Sequence, residues 1–229
     1  MYQRHRVGVC LLMGGTGVRC GNGVPKQFCC LGGKPLYRYA LETFLEMDVC
    51  DEIVGVCHQD WMEKTEEING VHWVMGGATR QESSKSGLGG FRELPEIVVI
   101  HDAARPFVTK ETILANLDTA ITWGAVDTCI PTTDTLVFAP GKDWIESIPK
   151  REEFLRGQTP QTFRYDLIVQ AHEWAQRKGI KNSSDDCRLV LEFGKRVAIV
   201  QGSAENFKIT SPLDLRLAEA LLSILKEKR

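Results

Sequence analysis

Short, continuous apolar runs alternate with longer stretches whose apolar residues recur at helical spacing. This alternation constrains the fold more than any other feature of the chain. Val7–Met13, Glu52–Cys57, Val71–Met75 and Glu96–Ile100 are too short for helices and apolar on successive residues, as strands covered on both faces are. Pro35 opens a helix running to about Asp48, with Leu36, Ala40, Leu41, Phe44 and Leu45 on one face. Trp61–Ile68 and residues from Arg80 to Phe91 read as helices. So does the stretch from a Thr109 cap to Trp123, with Glu111 in its first turn. Strands that alternate with helices build a three-layer α/β domain around a mostly parallel sheet. In such sheets ligands bind beyond the carboxyl ends of the strands, which directs attention to the loops that follow them.

After Ala125 the texture changes. Val126–Pro131, Thr135–Phe138 and Trp144–Ile148 are short β segments broken by Pro140-Gly141, which suggests a β-rich arm over about 132–152 within a single domain, 1–229. Regular order returns with helices Tyr165–Arg177 and Asp185–Phe193 and a strand at Val197–Val200. Ser211-Pro212-Leu213-Asp214 starts a last helix, with Leu217, Leu221, Ile224 and Leu225 expected to face inward.

Composition excludes several classes. Lys and Arg number 28 against 30 Asp and Glu, a net charge of -2, so no global basic field points to nucleic acid or an anionic membrane. The 8 cysteines include no Cys-x-x-Cys pair and no grouping with histidine at metal-ligand spacing, so they read as small buried hydrophobes of a reducing compartment. Cys20, in a glycine-rich loop, is the candidate reactive thiol. The run Val7–Met13 after Arg4-His5-Arg6 loosely imitates a signal peptide. It is too short, and a glycine- and arginine-containing loop follows instead of a cleavage site, so it reads as the first strand. No apolar run approaches membrane length, and the expected location is cytoplasmic.

The loop after the first strand is Gly14-Gly15-Thr16-Gly17-Val18-Arg19, followed by Pro25-Lys26-Gln27. Small residues let a backbone approach a phosphate, and Arg19 and Lys26 add positive charge there. A P-loop would need Gly-Lys-Ser/Thr, which is absent. A dinucleotide fingerprint would need glycine at position 20, which is Cys20, and an acid at the tip of the second strand, which ends Cys57-His58. A nicotinamide-dependent oxidoreductase is therefore disfavoured.

This loop resembles the signature of nucleotidyltransferases that build nucleotide sugars, and within them the polyol-phosphate cytidylyltransferases, the family of 2-C-methyl-D-erythritol 4-phosphate cytidylyltransferase. Further segments carry the likeness in order along nearly the whole chain: Gly76-Gly77-Ala78-Thr79-Arg80-Gln81-Glu82-Ser83, His101-Asp102-Ala103-Ala104-Arg105-Pro106, Asp134-Thr135, Arg151, Gln158-Thr159-Pro160-Gln161, Ser184-Asp185-Asp186 and Phe207-Lys208-Ile209-Thr210. The resemblance implies a Rossmann-like nucleotidyltransferase fold with a protruding β-arm. It implies CTP and a polyol phosphate as substrates, with Mg²⁺ held mainly through CTP phosphates and weakly by Asp102. Lys26 and Lys208 would grip the reacting α-phosphate and Arg19 the phosphate tail. Met13, Gly14, Gly15, Thr16 and Gly17 would cradle the nucleotide. Gly77, Ala78 and Ser83 would read the cytosine, with Arg80 steadying their loop. Asp102 would stand near ribose, metal and acceptor, beside Arg105 and Ser184 on the acceptor side. Thr135 and Arg151, on the arm, would complete the site of a second subunit, which implies a homodimer. Phosphoryl chemistry of this kind needs no covalent nucleophile and no general base, so His101 takes no such role.

Two acceptors share this machinery. Ala104 in the hexapeptide and Ser184-Asp185-Asp186 at a helix start suit 2-C-methyl-D-erythritol 4-phosphate of non-mevalonate isoprenoid biosynthesis, the acceptor expected first. Gly157 before Gln158, and Gly124-Ala125-Val126-Asp127-Thr128, resemble the D-ribitol 5-phosphate branch, which serves teichoic-acid-like polymers. A catalytically silent nucleotide-sugar binding module is the remaining alternative. Arg19, Lys26, Asp102 and Lys208 together argue against it.

Overall fold

The computed structural model describes residues 1–15, 24–65 and 67–227. Its centre is a seven-stranded sheet in the order β5-β4-β1-β6-β8-β7-β9. The strands are β1 (Val7–Met13), β4 (Glu52–Cys57), β5 (Val71–Met75), β6 (Ile97–Asp102), β7 (Ala125–Pro131), β8 (Leu155–Arg164) and β9 (Ala198–Gln201). A two-residue hairpin, β2 (Cys30–Leu31) and β3 (Lys34–Pro35), stands apart. Every neighbouring pair in the large sheet is parallel except those made by β8, which runs antiparallel to both β6 and β7.

The strands β1, β4 and β5 fall where the apolar runs predict them. In β1, Val7, Val9, Leu11 and Met13 join the core on one face while Cys10 and Leu12 join the core on the other. This period of two, apolar on both faces, is what a helix-covered strand requires. Helices α1 (Leu36–Leu45) and α3 (Lys110–Trp123) supply Tyr37, Leu41, Phe44, Ile113 and Leu117 to the first face. Helices α2 (Arg80–Leu88), α4 (Tyr165–Arg177) and α5 (Asp186–Glu192) supply Leu88, Ile168, Ala171, Leu189 and Val190 to the second. The result is a three-layer, mostly parallel α/β domain.

Four expectations are corrected. Trp61–Ile68 is no α-helix: Gln59–Lys64 form a 3₁₀ turn, capped by His58 and closed by the Thr65 N–H on the Met62 carbonyl. Strand β6 runs two residues further than the apolar run, so His101 and Asp102 end the strand itself. The segments Thr135–Phe138 and Trp144–Ile148 form a single antiparallel bridge, Phe138 to Ser147, and no regular strand. Their side chains stay in solvent, with Trp144 86% exposed. In α6 (Pro212–Glu227), Leu217 and Ile224 point outward; Leu215, Ala218, Leu221, Leu222 and Leu225 pack instead against Leu31, Leu36, Phe107 and Ile209.

Strand β8 has no counterpart among the expected strands. Its sequence LRGQTPQTFR shows no apolar alternation, yet Gln158 through Phe163 are buried. The two glutamines find partners remote in sequence. Gln158 Nε2 donates to the Ser203 carbonyl at 2.9 Å, and Gln161 Nε2 donates to Asp127 Oδ1 at 3.0 Å and Asp185 Oδ2 at 2.6 Å. Register slips between Asp127 and Cys129, the stretch facing Pro160, which has no N–H for the ladder.

Candidate active site

Four parallel strands, β5, β4, β1 and β6, end on one side of the sheet, and the loops leaving them enclose an open cleft of about 430 Å³. Gly14, Gly15, Lys26 and Gln27 come from the loop after β1, His58 from the end of β4, and Gly77 through Arg80 with Ser83 from the connection of β5 to α2. Asp102 and Ala104 follow from β6, and Lys208 arrives from the segment before α6. Near the chain's end, the Ile209 N–H donates to the Ala104 carbonyl at 2.8 Å, which fastens the Lys208 segment to the loop after β6.

The start of the glycine loop is held by Gln27. Gln27 is 2% exposed, and its Nε2 donates to the Met13 carbonyl at 2.6 Å and the Gly15 carbonyl at 3.1 Å. One side-chain amide thus ties down two carbonyls of the loop. The two glycine segments meet over Ser83: a β-carbon on Gly14 would lie 2.8 Å from Ser83 Oγ, and one on Gly76 2.9 Å. The second loop is set by a capping box. Thr79 Oγ1 accepts from the Glu82 N–H at 3.1 Å, and Glu82 Oε2 accepts from the Ala78 and Thr79 N–H groups at 2.8 and 3.2 Å.

Asp102 is the electrostatic hub. Its Oδ2 accepts from Lys208 Nζ at 2.6 Å, and its Oδ1 lies 3.7 Å from Arg80 Nε. Burial alone would raise the carboxyl; Lys208 and Arg80, with Arg105 behind them, outweigh it and hold Asp102 well below the usual carboxylate range. The Asp102 N–H donates to Thr159 Oγ1 at 3.1 Å, and that hydroxyl lies 3.1 Å from His101 Nδ1. His101 Nε2 is 3.0 Å from the Arg105 carbonyl, which can only accept, so Nε2 carries a proton. Burial pushes His101 down to about 4, and the ring stacks edge-on against Phe44. It is a packed structural histidine outside the cleft.

The structure thus brings together Met13, Gly14, Gly15, Lys26, Gly77, Ala78, Arg80, Ser83, Asp102 and Lys208. Arg105 stands alongside, its Nη1 donating to the Asn206 carbonyl at 2.9 Å and its Nη2 to the Gly157 carbonyl at 3.4 Å. Ser184 is exposed and does not line the cleft. Thr135 and Arg151 are also exposed and away from it; Arg151 Nη1 donates to the Thr133 carbonyl at 3.1 Å. Thr16, Gly17, Arg19 and Cys20 lie outside the described residues. Sequence reasoning did not single out His58, or Gln27 as a clamp, although Pro25-Lys26-Gln27 stood in the motif. Cys10, Cys57, Cys129 and Cys187 are buried as expected, and burial pushes the Cys129 thiol up to about 12; Cys29 and Cys50 are half-buried and Cys30 is exposed, against the expectation. Among the described residues no His, Cys, Asp and Glu side chains group as a metal site, and no helix is long and apolar enough to cross a membrane.

Comparison with known proteins agrees with this geometry. Residues 7–224 match the family described as 2-C-methyl-D-erythritol 4-phosphate cytidylyltransferase. A ribitol-5-phosphate cytidylyltransferase of Lactiplantibacillus plantarum is 37% identical over 225 residues, covering 93% of this chain and 96% of that protein. The crystal structure of 2-C-methyl-D-erythritol 4-phosphate cytidylyltransferase from Thermus thermophilus superposes with a TM-score of 0.79 at 33% identity, over 96% of this chain and 99% of that one. The 4-diphosphocytidyl-2C-methyl-D-erythritol synthase of Anaerococcus prevotii gives a TM-score of 0.84 at 26% identity, with the same coverage. The chain belongs to the 2-C-methyl-D-erythritol 4-phosphate cytidylyltransferase family, and is a CTP-dependent nucleotidyltransferase acting on a polyol phosphate.

Proposed function

We propose that the acceptor is D-ribitol 5-phosphate and the product CDP-ribitol. The observation that carries this acceptor is the 37% identity, over nearly the full length of both chains, to a ribitol-5-phosphate cytidylyltransferase. The second reading, 2-C-methyl-D-erythritol 4-phosphate, rests on the family match over 7–224 and on the likeness to the Thermus thermophilus enzyme at 33% identity.

In either case an oxygen of the acceptor phosphate attacks the α-phosphorus of CTP. A new P–O bond forms, the bond to the bridging oxygen breaks, and its electron pair leaves with pyrophosphate. The attacking oxygen is already anionic, so no base is needed, in keeping with a neutral, buried His101. What the chain supplies is position and positive charge. Lys26 and Lys208 face one cleft from opposite ends of the sequence, where they would meet the α-phosphate. Asp102 fixes Lys208. Gly14 and Gly15 would let the backbone approach the nucleotide, and Arg19 would hold the phosphate tail. Asp102 is the lone carboxylate among the described residues that line the cleft, which suits Mg²⁺, a cation usually held by one or two carboxylates plus substrate phosphates. When bound, Mg²⁺ would neutralise charge on the CTP phosphates.

Residues 132–152 are read as an arm that reaches a second copy of the chain and carries Thr135 and Arg151 to its site. Support comes from Val137, Phe138, Trp144, Ile145 and Ile148, each more than half exposed on this segment.

The test is pyrophosphate release with CTP and Mg²⁺, run in parallel on the two polyol phosphates, with Lys26→Ala as control and the mass in solution measured on the same preparation. Release with ribitol phosphate alone, lost in the control, supports the proposal. Release with methylerythritol phosphate alone transfers the assignment to the second reading. No release with either, despite CTP binding, refutes both, and a monomer refutes the arm.

A further inference from the structure

Behind the cleft, a line of paired side chains runs inward from Lys208. Lys208 Nζ meets Asp102 Oδ2 at 2.6 Å; Asp102 Oδ1 faces Arg80 Nε at 3.7 Å; Arg80 Nη1 meets Asp186 Oδ2 at 2.6 Å; and Asp186 Oδ1 lies 3.0 Å from His172 Nε2. The members come from four elements and one loop: β6, the first residues of α2 and α5, the middle of α4, and the segment before α6. Asp186 is fully buried and His172 is 3% exposed, so this end of the line is dry.

A buried carboxylate is costly unless its charge is matched. Here the helix does not require that charge. Asp185 already caps α5, its Oδ1 accepting from the Arg188 N–H at 3.2 Å. The Asp186 side chain is committed to Arg80 and His172 instead. Burial opposes its ionisation, but Arg80, then His172, keep Asp186 low, so it stays an anion far from solvent. The guanidinium between the two carboxylates uses a different nitrogen toward each. That geometry matters because a free guanidinium prefers to grip one carboxylate with two parallel N–H groups.

We infer that Asp186 is a positioning residue for nucleotidyl transfer: by holding Arg80 through Nη1 at 2.6 Å it keeps the guanidinium 3.7 Å back from Asp102 Oδ1, and so reserves Asp102 Oδ2 for Lys208 at the cleft. Without that anchor Arg80 turns to grip both oxygens of Asp102, and Lys208 loses the partner that aims it. This rests on the reading that Lys208 acts on the nucleotide phosphate. His172 holds the far oxygen of Asp186 and fixes the rotamer.

The experiment is a double-mutant cycle of Asp186→Asn and Arg80→Met. It reads kcat and KM with whichever polyol phosphate the wild type uses, CTP affinity by calorimetry, and the melting temperature. Misplacement of a reacting group by about 1 Å costs up to about 100-fold, so kcat is expected to fall roughly 10- to 100-fold in Asp186→Asn, with the acceptor KM within about threefold. The double variant should be no slower than Arg80→Met alone. Losses that multiply, or an unchanged kcat in Asp186→Asn, overturn the inference. Because methionine cannot compete for Asp102, the double variant should also recover most of the rate that Asp186→Asn loses; a double variant that melts as a folded protein yet is as slow as Asp186→Asn would overturn the inference. If the wild type turns over neither polyol phosphate, the functional reading fails by itself. The cycle is then read in CTP affinity, where non-additive losses support the inference and additive ones refute it.

Discussion

Replacing Asp127 by Asn should stabilise the protein at neutral pH and leave it unchanged in acid. Asp127 lies on β7, and Gln161 joins it to Asp185 through its Nε2. Burial, with Asp185 nearby, raises its carboxyl from the ordinary 3.8 to about 6 against the hydrogen bonds from Gln161 and Cys129. The sign follows from the raised value. The folded state binds this proton more tightly than the unfolded chain, so its contribution is full below about pH 4 and is lost as pH rises through 6. A shift of about two units corresponds to roughly 3 kcal/mol at most, which partial solvent access at the sheet end reduces to about 2 kcal/mol. Asn keeps the shape, accepts from Gln161 and never ionises. In a domain of this size about 2 kcal/mol moves the melting temperature by roughly 4–8 °C. Thermal denaturation of both proteins at pH 4.5 and pH 8 measures it. A gain of several degrees at pH 8 that shrinks toward zero at pH 4.5 is expected. A destabilised Asn variant at pH 8, or a difference independent of pH, would refute the reasoning, because either result means the carboxylate is better solvated or paired than its surroundings indicate.

Two further outcomes follow from the cleft. Gln27→Ala frees the Met13 and Gly15 carbonyls; at about 1 kcal/mol for each lost hydrogen bond the melting temperature should drop by several degrees, and CTP affinity should fall about tenfold as the loop loses its shape, both read by calorimetry. His101 should stay neutral from pH 5 to 8, so its imidazole resonances in a nitrogen-15 spectrum should show one tautomer, protonated on Nε2, with no inflection above about pH 5.

The parts of the fold that were legible are those in which burial and sequence apolarity coincide. Strand β1 reads directly because Val7 through Met13 are all buried and all but Gly8 carry apolar side chains. Helices α3 and α4 read from a Thr109 cap and from 3.6-residue spacing. Strand β8 could not be read, because Gln158, Thr159 and Gln161 are buried by virtue of partners such as Ser203, His101 and Asp127 that are remote in sequence. The outward Leu217 and Ile224 of α6 were misjudged for the same reason: several leucines compete for the inner face, and packing on Leu31 and Phe107 decides among them. At the site, the glycine loops announce themselves by residue size and Lys26 by its place beside them. Asp186 stood in the segment Ser184-Asp185-Asp186, but nothing there pointed to Arg80, which it meets only in space.

Two ion pairs, Lys208 with Asp102 in the cleft and Arg80 with Asp186 behind it, join residues 106 positions apart. No local segment can assemble either pair, and Lys208 reaches Asp102 only after the chain beyond β9 has docked on the loop after β6. Helices and hairpins form in microseconds, whereas contacts of such separation wait for the whole topology. During refolding, ellipticity should therefore return before the ability to hold CTP. A chain halted before Lys208 would have most of its sheet and no enzyme, which makes nucleotide affinity a reporter of the last step of folding.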